Sequence, residues 1–368
     1  MPTIQPQNAA FVVFAILLWV YVISPLLNRG PTSLRGRRLL ITGAANGVGA
    51  EIAIGAAARG ARLILWDLDG AALRATAERA REALRSAGVE VSSKDARAVV
   101  VAELDVSSPA ALEEALGAAL RVGTVDSAVC CAAVLAGEDA RVLTAERFAR
   151  VLAVNVVGPA ALVRLMMPHL EAGIRAGAGA GSDAAAAAAT KGTIVLLSSV
   201  MGSVGAARLS DYSASKAALE VFAASLRQEV NRDGLRGALG VQVVCPWVVD
   251  TGMFDGAFAR TGWALRAFFA AFPPLAADDV AGQVLQGLSA RHGRHSVEFS
   301  PAPIRWVVGG LRALMLLHLG FADWFAGVMG GAEGMARWRG TERNERALAG
   351  KGGGGTPRAS STPRRRRE

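Results

Sequence analysis

Residues 38–49 read RLLITGAANGVG, and their reading decides the fold. A short apolar run over Leu39–Thr42 has the length and content of a buried strand. It passes straight into Gly43, Asn46, Gly47, Val48 and Gly49 and then into the helix-forming stretch AEIAIGAAA. Glycines at such a junction let the backbone turn tightly and approach a pyrophosphate. The start of the following helix adds unpaired amides and positive potential. A glycine motif alone is weak evidence in a chain with 42 Gly. Its position between a strand and a helix strengthens it.

Outward from this turn the same alternation repeats. Further strands are predicted at Arg62–Trp66, Ala98–Leu104, Ser127–Cys131, Thr193–Ser198 and Val241–Cys245, with Ala-rich amphipathic segments of helical length between them. Repeated βα units point to an α/β fold with a doubly wound parallel sheet. Residues 172–191, AGIRAGAGAGSDAAAAAATK, read as a low-complexity surface insertion.

The chain has 368 residues and a formal charge of +9. That charge is confined to the ends: Arg29, Arg35, Arg37 and Arg38 before residue 39, and a net of +5 over residues 351–368. The middle is neutral, which argues against a nucleic-acid partner. Basic ends suit an anionic membrane surface, residues 351–368 equally suit a solvated tail, and the disordered basic stretch is expected over residues 341–368. Residues 9–27 are nineteen residues without a charge. As a helix they span roughly 28 Å, close to the ~30 Å hydrocarbon core. With no basic residue before them and a poor cleavage site after them, they read as a membrane anchor rather than a signal peptide. The Arg cluster places the C-terminal side of this anchor in the cytosol. The expected organisation is an anchor and basic flank over 1–36, a catalytic domain over 37–300, an apolar helical membrane-associated segment over 301–340, and the tail. Cys130, Cys131 and Cys245 have no zinc or disulfide spacing. The four histidines, His169, His292, His295 and His318, are scattered with no carboxylate or cysteine at ligand spacing, so no metal site is expected.

Two constellations carry chemistry. Asp67 closes the strand LILWD, 18 residues after Gly49. An acid there can bond the adenosine ribose hydroxyls and repel a 2′-phosphate, which favours NAD over NADP. Tyr212 and Lys216 lie four apart in YSASK, so they share a helix face. An ammonium beside the phenol is expected to lower its pKa from ~10 and make the pair a usable acid/base catalyst.

Together these pieces resemble the short-chain dehydrogenase/reductase family, over about residues 37–290. The motifs are TGAANGVG at 42–49, Asp67, Leu104-Asp105-Val106, Asn155 in Val154-Asn155-Val156, Ser199 thirteen residues before Tyr212, YSASK at 212–216, and Pro246 to Thr251. The resemblance implies a Rossmann-type fold. It implies that Tyr212 moves the substrate proton, that Lys216 binds the nicotinamide ribose and tunes Tyr212, and that Ser199, with Ser198 as second choice, bonds the substrate oxygen. Asn155 would hold a water linking Lys216 to solvent. Asp105, with Val106, would contact the adenine. The loop carrying Pro246, Val249 and Thr251 would face the nicotinamide. The chain departs from the family in having Cys130-Cys131-Ala132-Ala133 where Asn-Asn-Ala-Gly is usual, and Trp247 where glycine is common.

The N-terminal apolar run, the strand LILWD, Phe272-Pro273-Pro274-Leu275 and the apolar stretch 303–330 resemble the membrane-associated branch with retinol and 17β-hydroxysteroid dehydrogenases. That branch implies a lipophilic alcohol or carbonyl substrate, NAD(H) with NADP as the alternative, and a homodimer. It also implies a cytosol-facing catalytic domain at the endoplasmic reticulum membrane or a lipid droplet surface. Two rival readings remain: an NADPH-dependent ketone reductase, and a catalytically weak lipid-surface scaffold that keeps the fold.

Overall fold

In the computed structural model, β1 (Arg38–Thr42) is buried along its whole length. Its alternating side chains divide between two cores. Leu39 and Ile41 enter one apolar cluster and Leu40 enters the other. A strand buried on both faces needs an unbroken apolar run, and RLLIT supplies it. The structure describes residues 33–89, 97–179, 192–253, 269–270, 273–289, 296–300, 304, 306, 308–310, 338 and 342–350. The anchor expected at 9–27, the tail beyond 350 and most of the apolar stretch 303–330 lie outside these.

The elements alternate as the sequence predicts. After β1 come α1 (Gly47–Ala58), β2 (Arg62–Asp67), α2 (Gly70–Ser86), β3 (Val99–Glu103), α3 (Pro109–Val122) and β4 (Ser127–Cys130). Then come α4 (Ala145–Leu152), a π-helical turn (Ala153–Val157), α5 (Gly158–Gly179), β5 (Gly192–Leu197), α6 (Ser210–Arg232), β6 (Leu239–Pro246), α7 (Ala277–Ser289), β7 (Ser296–Ser300) and α8 (Glu342–Ala349). The seven strands form one sheet in the order β3-β2-β1-β4-β5-β6-β7, and every pairing is parallel. This is the doubly wound arrangement. Strand order reverses between β1 and β4, so a crevice opens there at the carboxyl ends of the strands.

Helix α1 is apolar all round because it is packed from both sides. Ile52, Ala53, Ala56 and Ala57 are fully buried, and a Cβ on Gly55 would stand 2.6 Å from Leu285 of α7. Alanine and glycine permit that approach, which explains the run AEIAIGAAA. The opposite face of the sheet is covered by α3, α5 and α6, around Leu112, Leu116, Met166, Leu219 and Val230. Capping residues set several helix starts. Asp69 accepts from the Ala72 amide at 3.0 Å, and Ser108, ahead of Pro109, accepts from Ala111 at 3.3 Å.

Three expectations are corrected. The segment 172–191 is not all insertion, since α5 continues to Gly179. Residues 341–368 are not all disordered tail, since Glu342–Ala349 form a helix whose Leu348 is buried in the main core. A seventh strand, β7, extends the sheet beside β6; its alternating SVEFS is too short and too polar to stand out. Among the described residues one helical stretch, Ala145–Ala176, has the length and composition to cross a membrane. It covers the sheet, with Val151, Val163 and Met166 buried.

Trp66 is 1% exposed and fills the core on the α3 side of β2. Trp66→Ala is expected to cost about 3–5 kcal/mol. Equilibrium denaturation should show it as a lower midpoint with an unchanged slope.

Candidate active site

The crevice at the switch point is a cavity of about 920 Å³, at the upper end of the range for small-molecule sites. One end is the glycine turn. Gly43 has φ +68°, and a Cβ there would lie 2.6 Å from the Ala132 amide nitrogen. A Cβ on Gly49 would lie 2.1 Å from the Gly43 carbonyl oxygen. Gly47, with φ +56°, faces the Thr251 side chain, which a Cβ would meet at 3.2 Å. The turn is therefore a cradle with no room for side chains, set at the N-terminus of the twelve-residue α1. It fits a pyrophosphate.

Asp67 is 6% exposed at the end of β2. Its Oδ2 accepts the Ala45 amide at 2.9 Å and its Oδ1 the Asp69 amide at 3.0 Å, which fixes the carboxylate where it lines the crevice. Asp105 and Val106 line the same end. Asp105 accepts from Arg150 at 2.7 Å and from both Ser107 donors. Burial alone would push its carboxyl up, but these bonds outweigh it and hold it below the usual carboxylate range. Pro246, Val249 and Thr251 line the far side. Their loop is pinned by Leu275, which exchanges backbone hydrogen bonds with Val248 and Asp250.

At the centre stand Ser199, Tyr212 and Lys216, brought together from the end of β5 and the first turns of α6. Ser199 hydrogen-bonds the Tyr212 hydroxyl. Ser198 turns the other way, bonding the Lys216 carbonyl and Glu220, so the second-choice serine is not the one beside the phenol. Lys216 Nζ lies 5.4 Å from the Tyr212 ring centroid and donates to the Leu197 carbonyl at 2.7 Å. Asn155 is 1% exposed within the π-helical turn. It clamps Val134 by both amide groups at 2.9 Å and donates to Ser215 at 2.9 Å. The strand end, α6 and the turn are thereby joined.

Residues 37–261 match the family model for short chain dehydrogenases. The chain belongs to the short-chain dehydrogenase family. Among its relatives is retinol dehydrogenase 10-B of Danio rerio, 27% identical over 297 residues, covering 76% of this chain and 80% of that protein. Human retinol dehydrogenase 10 is 28% identical over 298 residues, with the same coverage. A short-chain dehydrogenase/reductase from Burkholderia phymatum, crystallised with NAD, superposes with a TM-score of 0.59 at 26% identity, covering 77% of this chain and 96% of that one. As a short-chain dehydrogenase the protein is an NAD(P)-dependent oxidoreductase acting on alcohol or carbonyl groups.

One electrostatic expectation is reversed in this short-chain dehydrogenase. Burial dominates the Tyr212–Lys216 pair. It pushes the phenol up to about 12 despite the Ser199 hydrogen bond, and it pulls the ammonium down to about 8. Desolvation disfavours both charged forms, and for the phenol it outweighs the lowering that a neighbouring ammonium was expected to bring. The Cys130-Cys131 departure leaves the backbone secured by other means. Thr42 Oγ1 accepts the amides of Cys131 and Ala132 at 3.2 and 3.3 Å. Burial raises both thiols to about 12. Trp247 lines the cavity and leans on Phe269, with centroids 6.0 Å apart.

Sequence reasoning missed α8 and Trp338. Arg343, Asn344, Arg346 and Ala347 line the cavity, and Trp338 joins Tyr212, Leu135 and Leu209 in one apolar cluster. A local signal was present for α8: ERNERALA is a good helix former, followed by Gly350 at φ +71°. Nothing local could reveal where it docks.

The depressed Lys216 value carries a signed prediction. Between about pH 8 and the ordinary value of 10.5, the unfolded chain holds this proton and the folded chain has lost it. Stability then rises with pH. Tyr212 acts oppositely, but only above pH 10. Wild type is therefore expected to gain stability relative to Lys216→Met as pH rises from 8 to 10 in denaturant titrations. A pH-independent difference would overturn the assignment.

Proposed function

We propose that the protein is a membrane-anchored oxidoreductase that transfers hydride between NAD(H) and a lipophilic alcohol or carbonyl compound. The observation that carries this reading is the convergence of Ser199, Tyr212 and Lys216 on one cavity with the glycine cradle and Asp67. When bound, the nicotinamide cofactor supplies or accepts the hydride. The cradle of Gly43, Asn46, Gly47, Val48 and Gly49 would hold its pyrophosphate, Asp67 would receive the ribose hydroxyls, and Asp105 with Val106 would meet the adenine.

Tyr212 exchanges the proton with the substrate oxygen, and Ser199, already bonded to that hydroxyl, orients the oxygen and steadies its charge. Lys216, fixed by the Leu197 carbonyl, would bind the nicotinamide ribose. Asn155 positions Ser215 and the α6 turn beneath the pair. A phenol near 12 is protonated at neutral pH, so Tyr212 serves carbonyl reduction as it stands, whereas alcohol oxidation gains as pH rises. Thr251 and Val249 close the nicotinamide side.

A lipophilic substrate is supported by the apolar surround of Tyr212: Leu135, Leu209 and Trp338, with Met201, Ala206 and Met253 packed against them. It is supported also by the retinol dehydrogenase relatives, since retinol is a lipophilic alcohol. The anchor rests on the uncharged residues 9–27 with Arg29 and the exposed Arg35 behind them. Arg37 and Arg38 of the expected cluster instead serve the fold, Arg37 donating to the Leu288 carbonyl and Ser127 and Arg38 buried in β1. The start of the apolar C-terminal segment, Ile304 and Val308, packs on Val200 and Trp247, which would let a membrane-borne substrate reach the site from that side. We place the catalytic domain at the cytosolic face of the endoplasmic reticulum membrane or on a lipid droplet.

Tyr212→Phe keeps the ring packing and removes the proton donor. It is expected to bring kcat below a tenth of wild type while nucleotide binding, followed by NADH fluorescence, persists. A mutant with higher turnover would overturn the role of Tyr212. Full-length protein in microsomes should resist carbonate extraction, and its catalytic domain should be open to added protease. Deleting residues 1–28 should release much of it. Recovery of the intact chain in the soluble fraction, or protection of the domain in the lumen, would refute the anchored topology.

A further inference from the structure

The acid at the end of β2 does not face the crevice alone. Arg343 of α8, 276 residues further along the chain, brings its guanidinium to 3.5 Å from Asp67 Oδ2. The aspartate side chain is 6% exposed and the arginine 44%, so the cation presents an open face to the cavity it lines. Arg74 of α2 lines the same end.

Helix α8 does not need Arg343 to stay in place. Asn344 exchanges hydrogen bonds with the Leu135 backbone at 2.7 and 3.3 Å. Glu345 takes a two-pronged ion pair from Arg147 at 3.1 and 3.2 Å. The Ala347 carbonyl accepts twice from Arg150, at 2.9 and 2.7 Å, and Leu348 is buried in the core. The neighbouring Arg346 is 72% exposed and paired with Glu342 on its own helix. Arg343 is the residue of α8 whose charge is directed at the ribose-binding carboxylate.

We propose that Arg343 is a cofactor-specificity residue, which offsets the repulsion between Asp67 and a 2′-phosphate so that the site admits NADP(H) as well as NAD(H). The inference rests on the dinucleotide reading of the cavity. Asp67 alone would reject a phosphate at the 2′ position. A guanidinium beside it can swing from the carboxylate to the phosphate and bond it through several N–H groups, which suits arginine better than any other side chain. The contact to Asp67 is long and partly exposed, so little is lost when it opens. Discrimination between the two nucleotides is therefore set jointly by β2 and by a helix near the far end of the chain.

The test is the ratio of dissociation constants for NADPH and NADH on the full chain, measured by calorimetry or fluorescence. Arg343→Gln is expected to raise that ratio by about tenfold or more, the scale of a lost charge-assisted bond, and Arg343→Lys should restore part of it. Asp67→Asn should turn the preference towards NADPH, and Arg343→Gln in the same chain should remove most of that gain. If Arg343 merely held α8 down, Arg343→Gln would weaken both nucleotides alike and leave the ratio unchanged, which overturns the proposal. A gain from Asp67→Asn that survives the second substitution overturns it as well. Wild-type protein that binds neither nucleotide would overturn the dinucleotide reading itself, and this inference with it.

Discussion

Where β1 gives way to α1, the backbone of Gly43 lies so close to that of Ala132 that a single methyl group would stand 2.6 Å from the neighbouring nitrogen. This contact joins the two strands between which the sheet order reverses, β1 and β4. It exists because Gly43 takes a positive φ that other residues rarely adopt. Thr42 completes it by accepting two amides from the segment after β4. The cradle, the orientation of α1 and the width of the crevice all depend on this approach. It also explains how the site keeps its shape with Cys130-Cys131 in place of the family's asparagines: the backbone amides find a threonine oxygen instead.

The catalytic centre illustrates a second constraint. Tyr212 and Lys216 are both buried, and burial acts against charge on either of them. The ammonium donates to a backbone carbonyl, and burial lowers its pKa to about 8. Ser199 and Tyr212 hydrogen-bond one another, which suits the binding of a substrate oxygen in the proposed reaction. Asn155, in the π-helical turn, secures this arrangement by tying β4's exit to α6.

The C-terminal helix gives the site a wall that the central sheet does not provide. Its polar side chains engage the backbone after β4 and the arginines of α4, and it carries positive charge to the acidic end of the crevice. Trp338 donates to the Met253 carbonyl at 2.9 Å and packs beside Tyr212. The surroundings of Asp67 and of Tyr212 thus both depend on residues beyond the sheet.

Much of this was legible in the chain itself. Apolar runs such as RLLIT and RLILWD announce buried parallel strands, and glycines 43, 47 and 49 mark a turn that no other residue could make. The four-residue spacing of Tyr212 and Lys216 places two candidate functional groups on one helix face, while Ser199 entered only through the family resemblance. These features are local: period, backbone freedom and helix geometry act over a few residues, so sequence alone determined them. Three things were decided only by the tertiary structure: the high pKa of Tyr212 and low pKa of Lys216, the choice of Ser199 over Ser198, and the presence of Arg343 beside Asp67. Desolvation depends on every group packed around a site, and docking of α8 depends on contacts 197 to 209 residues away in the chain. Such effects have no local signature, because they arise only once distant segments share the same few ångströms.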